Sequence, residues 1–96
     1  MIDALDLPGR LALSFCSGFD AVAEDGEVGV VETPLFPPSG DEPDFLIVRT
    51  GGPLRHRRPV VAVALVVSVD AAERVVRLQG SKQEIEQLPE HLPLAI

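Results

Sequence analysis

The sequence predicts an all-β fold: a small antiparallel β-barrel of five or six strands with a short C-terminal helix. Three observations carry this. Nine prolines and eight glycines punctuate the 96 residues at short intervals, the pattern of many short strands. The stretches between them either alternate apolar and polar residues or are rich in β-branched ones. A single helix-start signal stands near the end, at residues 81–84. Closing Val-rich strands into a barrel also buries their edges.

Residues 1–9 read as an irregular arm ahead of one domain over residues 10–96. Leu11, Leu13 and Phe15 alternate with Ala12, Ser14 and Cys16, which predicts a strand over 11–16 with one apolar face. Ser17-Gly18 is a turn, and residues 19–23 make a second short strand. Asp25-Gly26 is a strong hairpin signal, because Gly tolerates positive φ. Its return strand covers residues 28–32 and extends toward Phe36. Residues 37–43 hold three prolines, which remove ladder donors, so this stretch is a loop. Residues 45–49 form a strand ended by Gly51-Gly52-Pro53. Leu54 to Arg58 is a basic loop or the start of a strand. Pro59 opens a long apolar strand over 60–69. Residues 70–73 turn, and Arg74 to Gln79 return with Val76 and Leu78 opposite in face to Val75 and Arg77. Ser81-Lys82-Gln83-Glu84 has the spacing of a capping box. Ile85 and Leu88 share a face of that helix, and Pro89 limits it to about two turns. The expected core is Phe15, Val28, Val30, Leu46, Val48, Val61, Val63, Val76 and Leu78.

Composition narrows the function classes. Apolar residues make up 46% and mean hydropathy is +0.23, rich for a chain this small. The surplus is either scattered exposed Val and Ala or a self-association or partner surface. The net charge is −7. Residues 1–44 hold ten acids and one base, while residues 45–96 hold five acids and seven bases. Nucleic-acid binding rests on neutralising phosphates, so an acidic chain disfavours it. The absence of Trp and Tyr removes the best stacking platforms. Seven of the eight bases are Arg. Cys16 is the only cysteine, so no intrachain disulfide can form and no oxidising compartment is needed. The first eight residues lack a basic segment, and the longest apolar run, Val60 to Val69, is ten residues even counting its Ser68. Neither a secretory signal nor a membrane span is expected, and the cytoplasm is the expected location.

The order of the pieces resembles the PRC-barrel family, which includes the cytoplasmic domain of the reaction-centre H subunit and the C-terminal domain of the ribosome-maturation factor RimM. The resemblance runs over about residues 19–90. It is carried by Asp25-Gly26 with Val28-Gly29-Val30-Val31-Glu32, by Asp44-Phe45-Leu46-Ile47-Val48-Arg49-Thr50-Gly51, by Pro59-Val60-Val61 through Leu65-Val66 to Val69-Asp70, by Val75-Val76-Arg77-Leu78, and by Leu88-Pro89. It departs at Ala62, where many members carry a proline. The resemblance implies a small antiparallel barrel serving as a binding or docking module, and it carries no catalytic motif.

Arg55-His56-Arg57-Arg58 is the most distinctive local feature. Three guanidiniums within four residues can grip carboxylates or phosphates bidentately. They can equally form a solvated loop that balances the acids of residues 1–44. His56 and His91 lie far apart in the chain, and nothing beside Cys16 lowers its pKa, so a small buried cysteine is expected. Asp41-Glu42-Pro43-Asp44 lacks the spacing and glycine of a calcium loop. Ser14 and Ser17 match no nucleophile elbow, and Gly51-Gly52-Pro53 no phosphate-cradling loop. The expected function is therefore a non-enzymatic protein–protein interaction or docking module, a homodimer or bound to a protein partner, with no cofactor. The alternative is an anion or small-ligand sensor working through Arg55, His56, Arg57 and Arg58.

Overall fold

The structure, a computed structural model, describes residues 12–38, 40, 42–52 and 55–90, with the side chains of Arg55 and His56 outside that description. The arm at residues 1–9, and His91, lie outside the described residues. The described chain forms β1 (Asp20–Ala23), β2 (Gly26–Leu35), β3 (Phe45–Gly52), β4 (Arg55–Arg57), β5 (Val60–Ala62), β6 (Val66–Asp70), β7 (Val75–Leu78) and the helix α1 (Lys82–Glu86). The strands make one sheet in the order β4-β3-β2-β1-β7-β6, with β5 also pairing β3, curled into a half-barrel. The all-β class and the short helix stand as expected.

The sheet is mixed rather than antiparallel, because β1 and β7 run parallel, with Ala21 opposite Val76. β1 already pairs antiparallel with β2 on its other edge. Its free edge is filled by a strand from the far end of the chain, whose direction is set by the chain path and not by a tight turn.

The run at 60–69 is not one strand. It breaks at a 3-10 turn, Val63–Leu65, between β5 and β6. Each side of that corner is tied to a different end of the sheet. The Val63 amide donates to the Asp44 carbonyl beside β3 at 2.9 Å, and the Gln79 amide donates to the Leu65 carbonyl beside β6 at 2.8 Å. The corner thus bridges the two ends of the half-barrel. It also flips the buried parity: Val61 and Val66 are both buried, five residues apart, while Val63 is only half-buried. Val63 therefore leaves the expected core.

The expected strand over 11–16 is a 3-10 turn, Leu13–Phe15, among its described residues. Two apolar periods compete there. The alternation through Leu13 and Phe15 loses to the three-residue spacing of Leu13, Cys16 and Phe19, which are all buried. The Cys16 thiol donates back to the Leu13 carbonyl at 3.2 Å, which closes the turn. Phe15 consequently points outward and is 78% exposed, a second departure from the expected core.

The third departure is Val30, which is half-buried while Val31 is 1% exposed. Strand β2 carries two irregularities. Ala21 faces Gly29 and Val22 faces Glu27, which leaves Val28 as an extra residue against β1. Val31 faces Val48 and Thr33 faces Ile47, which leaves Glu32 extra against β3. Each bulge moves the following side chains to the other face. Val28, Leu46, Val48, Val61, Val76 and Leu78 are buried as expected.

At the C-terminal end the capping box forms on both sides. Ser81 Oγ accepts from the Glu84 amide at 3.1 Å, and Glu84 Oε1 accepts from the Ser81 amide at 2.8 Å. The β1–β2 turn holds the same point. Glu24 Oε2 accepts from the Gly80 amide and Asp25 Oδ1 from the Lys82 amide, at 2.9 and 2.8 Å. Ile85 is driven into the core at 1% exposure, and Leu88 packs partly against it.

Candidate functional site

Within the basic segment, Arg55–Arg57 form a short strand of their own, β4, rather than the start of the apolar strand that follows. In β4, Thr50 faces Arg57, Gly51 faces His56 and Gly52 faces Arg55. In β5, Ile47 faces Val60 and Phe45 faces Ala62. Both lie along the same edge of β3, because β2 occupies the other. Arg58 and Pro59 bridge them, and the Pro59 carbonyl accepts from the Val48 amide at 3.1 Å. The peptide unit that points its carbonyl at β3 points the following amide, that of Val60, outward. The amide of Arg58, two residues earlier, points off the same edge.

Those two outward donors are taken by residues 88–90. The Val60 amide donates to the Pro89 carbonyl at 2.8 Å, and the Arg58 amide donates to Glu90 Oε1 at 3.0 Å. The other oxygen of the same carboxylate accepts from Arg57 Nε at 3.1 Å, and Arg57 Nη2 donates to the Leu88 carbonyl at 3.4 Å. One carboxylate thus spans a backbone amide and a guanidinium. The Arg58 amide, first, and the Arg57 guanidinium, second, hold the Glu90 carboxyl below its ordinary pKa, because both favour the charged form. The Arg58 guanidinium turns the other way and donates to Glu32, the extra residue of the β2 bulge. The bulge re-aims that side chain, so it reaches across to the edge strand.

Of the four residues singled out in the sequence, Arg57 and Arg58 are therefore engaged with carboxylates of the chain itself. Their side chains remain 43% and 53% exposed, so both are surface pairs and not buried ones. Arg55 and His56 are placed by their backbone on β4. Glu90 and Glu32 escaped the sequence reading. They lie 33 and 26 residues from their partners, and no local pattern marks either.

Among the other nucleophile and metal candidates, Cys16 and Asp44 have structural roles. Cys16 is fully buried, and burial pushes its thiol from 9.0 up to about 11, so it stays protonated at neutral pH. Asp44 works through its backbone, its amide donating to the Leu35 carbonyl at 2.9 Å. Asp41 lies outside the described residues. Among the described residues, no three His, Cys, Asp or Glu side chains converge as a metal site would require. No described helix is long and apolar enough to cross a membrane. Neither a protein-family model nor a curated protein matches the sequence.

Proposed function

We propose that this chain is a non-enzymatic protein-docking module of the PRC-barrel-like kind, working in the cytoplasm, and that its partner is gripped through Phe15 and Phe36. A second copy of the chain is the partner to test first. One observation carries the reading. With no Trp or Tyr, phenylalanine is the largest apolar side chain here, and two of the four stand in water, Phe15 at 78% and Phe36 at 45% exposure. Burying such a side chain is worth about 1.5–3 kcal/mol, which a partner surface would recover. Val67, the extra residue of the β6 bulge, adds a third exposed apolar group at 44%.

The residues behind the family resemblance fall on the β1–β2 hairpin, β3, β5, β6 and β7, which supports the kinship. The single buried thiol suits a reducing compartment. A small-anion sensor at residues 55–58 is the weaker reading, because Glu90 and Glu32 already occupy the Arg57 and Arg58 guanidiniums.

The test is solution mass by light scattering over a hundredfold concentration range, for the native chain and for a Phe15→Ser, Phe36→Ser variant. The native chain is expected to run as a dimer that dissociates on dilution, and the variant as a monomer. A native chain monomeric throughout rules out the second copy as the partner.

A further inference from the structure

The edge formed by β4 and β5 presents a set of donors that its own C-terminal segment satisfies. Exposed edge strands are templates for added chain, and proteins cover or blunt them. Among the described residues the cover is three residues long. Leu88 and Pro89 offer carbonyls, and Glu90 offers both carboxylate oxygens, to donors on Arg57, Arg58 and Val60. The Arg57–Glu90 clasp is charge-assisted and half exposed to water, the Val60–Pro89 bond joins neutral backbone groups, and Leu88 packs partly against the core. The tether adds to these contacts an effective concentration of about millimolar, which a free peptide lacks.

We infer that this edge is a docking site for a short peptide segment that carries a carboxylate in the place of Glu90, and that residues 88–90 occupy it in cis as a displaceable plug. The seated segment defines the ligand: two successive carbonyls, from Leu88 and Pro89, then an acidic side chain that reaches one backbone amide and one guanidinium. A main-chain carbonyl on the Val60 amide gives attachment, and the Arg58 amide with the Arg57 guanidinium selects the carboxylate. This surface is built from elements other than those bearing Phe15 and Phe36. A monomeric mass would leave it standing, and its own failure would leave the phenylalanine surface untouched.

The test uses the full chain, isotopically labelled, with amide shifts followed by NMR. The probe is a capped peptide of sequence Glu-Gln-Leu-Pro-Glu-His, with a second in which the glutamate after proline is glutamine, and with acetate alone. Glu90→Arg sets a cation against Arg57 and expels the plug from an exposed position, so the fold is retained. Glu90→Gln keeps the side-chain shape and weakens the clasp only in part. The Arg58 and Val60 amides are expected to shift saturably with the first peptide, at least tenfold more tightly in Glu90→Arg than in the native chain, with Glu90→Gln between. The glutamine peptide should bind at least tenfold more weakly. No shift at those amides, equal affinity for native and variant chains, or equal binding of the glutamine peptide would each overturn the inference. Acetate that matches the peptide would reduce the edge to a small-anion site and overturn it as well.

Discussion

At Gly29 a methyl group would stand 2.0 Å from the Arg49 carbonyl oxygen, with Thr50 Cα at 3.1 Å. Both obstacles are backbone of β3, which is pinned by its ladder to β2 and cannot give way as a flexible side chain would. Gly29→Ala is therefore expected to cost about 2 kcal/mol or more, read as a lower urea midpoint. An unchanged midpoint would mean that the two strands can part freely at this point. Cys16 makes a second prediction at this scale. Its folded pKa of about 11 exceeds the ordinary 9.0, so burial favours the protonated form. Between those pH values the unfolded chain sheds a proton that the folded chain keeps. Stability is intact below the lower value and falls as pH rises toward the upper one, by up to about 1.4 kcal/mol per pH unit. The chain has no Tyr and one Lys, so few other groups titrate in that window. Urea midpoints across the window should decline in the native chain and stay flatter in Cys16→Ala. An equal decline in both would assign the slope to another group.

Among the elements, α1 is five residues long and cannot persist by propensity alone. It stands on its capping box, on the carboxylates of the β1–β2 turn, and on the burial of Ile85. Ser81→Ala removes one accepted bond and is expected to cost about 1 kcal/mol in the global unfolding transition. A midpoint matching the native one would show that the helix frays independently of the sheet. This element was legible in the sequence, as was the Asp25-Gly26 hairpin, because both are governed by residues within four positions of one another. The run at 60–69 was not. Its residues are apolar throughout, so no periodicity reveals that parity changes at Val63–Leu65. Residues 11–16 misled for a related reason: two apolar spacings overlap there, and the choice between them depends on where the core lies.

Across the whole molecule, charge and apolar surface oppose each other. A chain of net charge −7 repels its copies, so association through Phe15 and Phe36 should strengthen as salt screens that repulsion. The mass measurement repeated at low and high ionic strength reads this directly. An association that salt weakens would point instead to ion pairs across the interface.

From the sequence alone came the all-β class, most of the strands, the proline-rich loop, the capped helix, a buried cysteine and a distinctive basic segment. Each rests on side-chain period or on turn chemistry, which act over a few residues. The tertiary structure decided the parallel seating of β7 against β1, the corner that bridges the ends of the half-barrel, the bulges that exchange Val30 for Val31, and the meeting of Arg57 and Arg58 with Glu90 and Glu32. These depend on which distant segments become neighbours. That choice is made by closing the sheet around one shared core, and no local pattern records it.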